Sequence, residues 1–193
     1  IMQYLVKQDA CANFEQILKL YKIATEEYKL VIDSYTACIV LNAHFKAAKP
    51  KEALALFEEF KQKRPQLLKV PVFSTMINGL GYFKQYEKVN IITPIFEEMK
   101  SKYALVPNEQ TYHGVIKVFA KANDVATVDK LLEEMVTIHG YEISARIMMS
   151  LLRIFKKKGE TKLYERYAKK INTGEIQIRQ DADADILYQK LKQ

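Results

Sequence analysis

Turn-forming residues are scarce in this sequence, which has six glycines and five prolines among 193 residues and no tryptophan. So few breakers suit an all-helical protein with short turns. Apolar runs never approach the roughly 20 residues that a bilayer requires, so we expect no membrane span. Two cysteines, Cys11 and Cys38, are too few for a disulfide framework or a four-cysteine metal site, and they are typical of a reducing compartment.

The residue groupings that catalysis needs are missing as well. The sequence has no phosphate-binding glycine loop, no nucleophile beside a base, and no metal-ligand spacing around His44, His113 or His139. His44 falls on an apolar face, which indicates a core or lining position. We interpret the three acidic residues Asp181, Asp183 and Asp185 as carboxylates that open a helix rather than as a cation site. We therefore expect neither an enzyme nor a cofactor.

A pair of helical patterns runs from Pro107 to Met135. After a Pro-Asn turn, apolar residues recur three and four positions apart, which predicts a helix with one apolar face. A turn at Asn123 and Asp124 follows, with Asp124 a candidate N-cap, and then a second helical stripe. The two stripes consist of Tyr112, Val115, Ile116 and Phe119, and of Val128, Leu131, Leu132 and Met135. Two short helices cannot bury both stripes alone, so this unit requires similar neighbours.

Such neighbours are present along the whole chain. Units begin at Ser34, Val70, Glu109 and Ala145, at spacings of 36, 39 and 36 residues. We predict a single solenoid over residues 1–193, with repeats at about 1–33 (partial), 34–69, 70–108, 109–144 and 145–180, and a terminal helix at 181–193. No strand pattern is evident. Gly79 and Gly81 lower the helix propensity of the third unit's first helix by about 1 kcal/mol each.

Acidic pairs recur at one place in three units. They are Phe57-Glu58-Glu59-Phe60, Phe96-Glu97-Glu98-Met99 and Leu132-Glu133-Glu134-Met135. Recurrence at one repeat position favours a structural role over general acid or base chemistry. We expect the flanking apolar residues to point inward and the carboxylates to face solvent.

These segments resemble the pentatricopeptide repeat family. The resemblance lies in SYTACIVLNAHFKAAKPKEALALFEEF, FSTMINGL and TYHGVIKVFAKANDVATVDKLLEEM, and in Asp33 and Asn108 just before repeat starts. It implies an all-α fold, a right-handed α-solenoid of stacked helix-turn-helix repeats, in which the first helices line a concave surface. It also implies that the fifth residue of each unit and the residue that closes the unit together read one RNA base.

The five implied pairs are Met2 with Asp33, Cys38 with Lys69, Ser74 with Asn108, His113 with Ser144, and Met149 with Gln180. Ser74 with Asn108 is the pair that matches a combination used by the family, one associated with adenine. Methionine and cysteine cannot read a base edge through strong hydrogen bonds. The alternative reading is that the other four pairs only line the groove.

Further along the same helix faces, at steps of four, lie Asn42 and Lys46, Asn78 and Tyr82, Lys117 and Lys121, and Arg153 and Lys157. Residues 145–180 hold ten Lys or Arg against three Asp or Glu, a balance of +7, whereas the remainder has 20 of each. Such clustering suits phosphate contacts; the alternative is a solvated surface with lysines that cap a helix C-terminus. The candidate RNA-binding residues are Asn42, Lys46, Ser74, Asn78, Tyr82, Asn108, His113, Lys117, Lys121, Arg146, Arg153, Lys156 and Lys157.

The sequence thus favours an RNA-binding helical-repeat protein, and the resemblance implies the mitochondrial matrix as its compartment, with a targeting segment that we expect not to be part of this chain. The expected partner is single-stranded RNA or rRNA, bound mainly through phosphate contacts. The expected roles are transcript processing, stability, translation or ribosome association. The alternative is a structural scaffold subunit that uses the same concave surface to hold protein partners in a larger mitochondrial assembly.

Overall fold

A computed structural model describes residues 1–9, 12–83, 89–180 and 183–191. The predictions that concern Cys11 and Asp181 therefore lie outside the described residues. The helices are α1 (Met2–Asp9), α2 (Phe14–Lys22), α3 (Ser34–Lys46), α4 (Pro50–Lys63), α5 (Val70–Leu80), α6 (Val89–Ser101), α7 (Glu109–Lys121), α8 (Val125–Glu133), α9 (Ala145–Lys158), α10 (Thr161–Asn172) and α11 (Ala184–Leu191). Within these ranges no helix has the length and apolar character needed to cross a membrane.

The chain forms two compact units, unit 1 (Ile1–Gly114) and unit 2 (Val115–Gln193). In unit 1, α3 packs against α4 and α5, and α5 packs against α6. In unit 2, α9 packs against α10 and α11. The predicted fold class, an all-α solenoid of stacked helix-turn-helix repeats, is confirmed. The predicted single domain and its repeat bounds stay predictions.

Aromatic pairs join successive repeats in unit 1. Phe57 on α4 meets Phe73 on α5 edge to face, with ring centroids 5.5 Å apart. The arrangement recurs one repeat later, where Phe96 on α6 meets Tyr112 on α7 at 5.9 Å, and in both pairs the two residues are 16 positions apart in the sequence. Phe57 and Phe96 open the first two of the acidic-pair motifs, and both are buried. The apolar residues of those motifs therefore form the junction with the following repeat.

The carboxylates of the motifs are only partly in solvent. Glu98 lies 2.5 Å from Lys61 of the preceding repeat and 2.9 Å from Lys102. Burial opposes ionisation of Glu98, but hydrogen bonds from the two ammonium groups outweigh burial and hold its pKa below the ordinary value. Glu133 in unit 2 lies 3.6 Å from Arg166 of the following repeat. The prediction that these carboxylates simply face solvent was thus incomplete.

Residues with a left-handed backbone conformation follow several of the helices. In unit 1 they are Lys29, Ala48 and Ala104, whereas in unit 2 they are Asn123, Gly140, Gly159 and Gly174. This conformation costs an L-residue other than glycine roughly 1–2 kcal/mol. Because the sequence holds so few glycines, unit 1 places ordinary side chains in turns that glycine would adopt without strain.

A short parallel ladder in unit 2 departs from the expectation of no strands. β1 (Ile143–Ser144) pairs with β2 (Ile178–Arg179). The two segments lie one repeat apart and are the extended residues before α9 and before the chain turns into α11. Ile143 and Ile178 are buried. Two residues per strand are too few to leave an alternating pattern in the sequence.

Candidate nucleic-acid interface

One cleft of about 990 Å³ lies in unit 1, between α3, α5 and the start of α7. Its lining consists of Tyr35, Cys38, Asn42, Phe45, Lys46, Pro71, Ser74, Thr75, Asn78, Gly79, Tyr82, Phe83, Asn108, Gln110 and His113. Seven of the candidate RNA-binding residues from the sequence are therefore brought together. Among the described residues that line the cleft, none carries a carboxylate.

Two glycines let the three helices come this close. A Cβ added to Gly79 on α5 would lie 2.2 Å from the ring of Phe45 on α3. A Cβ on Gly114 would lie 2.7 Å from Asn78 Oδ1 and 2.9 Å from Ile77 on α5. Gly79 destabilises α5 through its low helix propensity, but it allows a close contact with α3 that any side chain would block.

Asn78 also fastens α7 to α5. Its amide nitrogen donates to the Ser74 carbonyl at 2.9 Å and to the Gln110 carbonyl at 3.3 Å. Because both bonds use the same amide group, the side chain is held in one orientation along the wall of the cleft. Asn78 is half-buried, so part of its amide still faces the cleft.

Ser74 and Asn108, the predicted adenine-reading pair, lie in direct contact. Ser74 Oγ is 3.1 Å from Asn108 Oδ1 and 2.5 Å from Thr111 Oγ1. Asn108 Oδ1 also accepts from the Thr111 amide at 2.9 Å and from its hydroxyl at 2.8 Å, which makes Asn108 the N-cap of α7. Ser74 is only 5% exposed, so it orients Asn108. Since the oxygen of Asn108 is committed, its amide nitrogen is the atom that would contact a base.

Asp33 makes the same cap two junctions earlier, at the start of α3. Its Oδ1 accepts from the Thr36 amide at 2.8 Å and from the Thr36 hydroxyl at 2.7 Å. These hydrogen bonds lower the pKa of Asp33, and the bond from the Thr36 backbone amide has the larger effect. At both of these junctions the closing residue of the repeat caps the next helix, and threonine follows three residues later. That spacing was visible in the sequence, and it identifies a role that the predicted base-reading pairs did not include. Asp124, a predicted N-cap, is confirmed by its bond to the Thr127 amide at 3.1 Å.

Aromatic side chains open onto the cleft. Tyr82 is 80% exposed and Tyr35 is 54% exposed. Tyr35 was not among the predicted residues, nor were Pro71 and Gln110. These three share the second position of their helices, whereas the cleft residues predicted from the sequence lie at the fifth position, at steps of four beyond it or, for Asn108, at the close of a repeat. His113 lies among them, with Nε2 3.7 Å from Glu109 Oε1.

The predicted basic residues of unit 2 divide into two groups. Lys117, Lys121, Arg153, Lys156 and Lys157 are exposed. Arg146 is exposed as well, but its Nε and one terminal nitrogen both lie 3.0 Å from Asp183 Oδ2. The expectation that Arg146 contacts phosphate stays a prediction, and its guanidinium holds a carboxylate beside α11.

Two further cations of the predicted basic cluster serve repeat packing. Arg166 bonds Asp129 and lies near Glu133, while Lys170 lies 4.0 Å from Glu133. Tyr167 Oη also donates to Asp129 at 2.5 Å. Burial, the largest cause, and the hydrogen bond to Asp129 strongly raise the pKa of Tyr167. Some of the cations in residues 145–180 therefore form ion pairs between repeats. The described residues form no cluster of side chains that could hold a metal ion.

Comparison with known proteins agrees with the repeat pattern. A sequence model described as PPR repeat matches residues 28–64 and 110–138. The crystal structure of the pentatricopeptide repeat protein PPR10 from maize is similar over 93% of this chain, with 14% identity and a TM-score of 0.46. This chain spans 31% of the length of that one. No curated protein matches the sequence.

Proposed function

We propose that this chain, of which residues 28–64 and 110–138 match the PPR repeat model, is a helical-repeat RNA-binding protein of the pentatricopeptide repeat family, and that the cleft of unit 1 binds the bases of a short single-stranded RNA segment. The observation that carries the proposal is the lining of the cleft. It combines exposed tyrosines with side-chain amides from three helices, and its described lining residues include no carboxylate that would repel RNA.

Each kind of lining group has a matching feature on single-stranded RNA. Unpaired bases stack on aromatic rings, and Tyr35 and Tyr82 present exposed rings. Carboxamides both donate and accept hydrogen bonds, as base edges require. Asn108 is the most constrained of them, because three protein groups fix its oxygen. A preference for adenine at the Ser74–Asn108 pair is part of the proposal.

Phosphate contacts are assigned to exposed cations. Lys46 borders the cleft in unit 1, and Lys117, Lys121, Arg153, Lys156 and Lys157 are exposed in unit 2. Lysine and arginine contact phosphates whatever the base sequence. We propose the mitochondrial matrix as the setting, with transcript processing, stability, translation or ribosome association as the role, and no catalytic step of the protein's own.

A salt titration tests RNA binding. Affinity for single-stranded RNA should fall with salt, with a log-log slope near −0.7 per phosphate contacted, and duplex RNA of the same sequence should bind more weakly because its bases are already stacked. No binding at low salt would rule the proposal out. Equal affinity for duplex and single strand would remove the base-binding role of the cleft.

Tyr82→Ala tests the cleft itself. Loss of one stacked base should weaken RNA binding by about 1–3 kcal/mol, roughly 5- to 150-fold. Stability should hardly change, because the ring is 80% exposed. Tyr28→Ala is the matched control, since Tyr28 is 70% exposed and does not line the cleft. Equal losses in the two variants would contradict the assignment.

A protein partner is the second candidate, and one observation favours it. Tyr28, Leu30 and Val31 are exposed in the segment before α3, with Val31 at 92%. Three exposed apolar side chains within four residues suit a protein contact, in keeping with a scaffold subunit of a larger assembly. Co-purification after nuclease treatment separates the candidates. A partner that is lost with the RNA would count against direct protein contact.

A further inference from the structure

A second pocket, of about 340 Å³, lies in unit 2 between α9, α10 and α11. Its lining consists of Met149, Leu152, Arg153, Lys156, Tyr164, Leu187, Lys190 and Leu191. The α9 residues and the α11 residues each follow steps of three and four, so each set forms one face of its helix. Three of the eight lining residues are cations, and no acidic residue is among those that the structure describes there.

The cations stand at the rim of an apolar floor. Arg153, Lys156 and Lys190 are exposed, whereas Leu152 and Leu187 are buried beneath them. Lys190 reaches across from α11, with its Nζ 4.0 Å from Met149 Sδ on α9. The side chains of two separate helices thus converge on one space, which distinguishes this group from lysines that fan outward around a helix end.

The electrostatic balance favours an anion. Lys156 and Lys190 lie in the last turns of α9 and α11, where each helix dipole contributes roughly −0.5 charge. Two such ends offset about one of the three positive charges. The carboxylate of Asp183 lies on Arg146, outside the pocket lining. A net positive charge remains to attract a ligand.

The size and lining of the pocket indicate which anion. A volume of about 340 Å³ is near the lower end of small-ligand sites, which run from about 300 to 1,000 Å³. Three donor side chains match the acceptor oxygens of a phosphate, and the leucine and methionine floor matches the apolar face of a sugar or base. The pocket therefore fits one nucleotide rather than a run of several.

We infer that Lys190 of α11 joins Arg153 and Lys156 in a pocket that binds one nucleotide phosphate of the RNA. This inference rests on the proposed RNA-binding function and extends it to α11, which the sequence analysis treated only as a terminal helix. The phosphate is either an internal phosphodiester or a 5′-terminal phosphate, since both present the same oxygens.

The first test uses adenosine 5′-monophosphate with the full chain, followed by NMR amide shifts. The nucleotide should shift amides near Arg153 and Lys190, adenosine without its phosphate should not, and Lys190→Ala should abolish the shifts. Lys162→Ala is the matched control, because Lys162 is an exposed lysine on α10 that does not line the pocket. Absence of nucleotide-dependent shifts at α9 and α11 would overturn the inference.

The second test uses single-stranded RNA with and without a 5′-phosphate. Lys190→Ala should weaken binding about fivefold to tenfold for every base sequence and reduce the salt slope by about 0.7, while Lys162→Ala should not. A loss confined to 5′-phosphorylated RNA assigns the terminal phosphate; equal losses assign an internal one. Equal effects of the two lysine variants would contradict the pocket.

Two outcomes separate this inference from the proposed function. Nucleotide binding at Lys190 without any RNA binding would support the pocket and contradict the RNA-binding cleft. Displacement of the nucleotide by a short polyglutamate peptide at equal concentration would overturn the phosphate assignment and point to an acidic protein segment.

Discussion

Unit 1 and unit 2 are both built from helix-turn-helix repeats, but the side chains that line their pockets differ. The first helices of unit 1 present tyrosines and amides to a large cleft, whereas α9 of unit 2 presents arginine and lysine to a small pocket. Their junctions differ in the same way. Unit 1 joins repeats through aromatic edge contacts, and unit 2 through Asp129, Arg166 and Tyr167. The proposed base contacts therefore lie in unit 1, and most of the proposed phosphate contacts lie in unit 2.

The junction contrast gives the largest expected effect. Phe57→Ala should destabilise unit 1 by about 3–5 kcal/mol, because the buried ring packs on Phe73 and no neighbour can fill its space. Phe57→Leu should cost less, since Leu132 and Met148 occupy the corresponding buried positions of unit 2. Urea unfolding measures both. A Phe57→Leu variant as stable as the unmodified protein would show that the ring contact has no special role in unit 1.

Asp129→Ala tests the polar junction of unit 2. The change removes the acceptor of the buried Tyr167 hydroxyl and of Arg166, so it should cost about 1–3 kcal/mol in urea unfolding. Adding Tyr167→Phe should recover part of the loss, because one unsatisfied buried group is then removed. A double variant that is less stable than the single one by the full cost of Tyr167→Phe would contradict this coupling.

In unit 1 the left-handed turn positions hold residues other than glycine, so substitution by glycine should stabilise the protein there rather than destabilise it. Ala104→Gly in unit 1 should stabilise the protein by up to about 1 kcal/mol, since relief of the left-handed strain exceeds the added unfolded-state entropy. Gly159→Ala in unit 2 should destabilise by about 1 kcal/mol. Thermal unfolding checks both. A loss of stability in Ala104→Gly would show that the turn is not strained.

A pH effect is expected in unit 1 from His44, which is buried as predicted. Burial is the main cause that lowers its pKa, against a hydrogen bond to the Val40 carbonyl at 2.8 Å. The unfolded chain then binds the proton more tightly, so stability is complete above pH about 6.5 and falls as the pH drops toward the folded pKa. His44→Asn should flatten unfolding free energy over that window. An unchanged pH profile would contradict a neutral buried His44.

The helices and core could be predicted from the sequence because their signals are local. Apolar spacing of three and four residues located the stripes that bury Tyr112, Leu132 and Met135. The flanking residues of the acidic pairs, such as Phe57 and Phe60, are likewise buried as predicted. Steps of four also placed Asn42 and Asn78 at matching positions of their helices, and both line the cleft.

Features that depend on distances between repeats could not be predicted. The roles of Gly79 and Gly114 appear only when α3, α5 and α7 are packed, because glycine in a helix otherwise reads as a weak position. The pairing of Arg146 with Asp183 spans 37 residues, so charge counting assigned that arginine to RNA. Lys190 was missed for the same reason, since its neighbours Arg153 and Lys156 lie on another helix.

The most direct test of the base-binding cleft is to map where single-stranded RNA crosslinks. A photoactivatable uridine placed beside an adenine, followed by mass spectrometry of the crosslinked peptides, reports the side chains that touch bases. Crosslinks should concentrate on the peptides that carry Tyr35, Tyr82 and Gln110, and Tyr82→Ala should reduce them. Crosslinks confined to peptides outside the cleft lining would contradict the account.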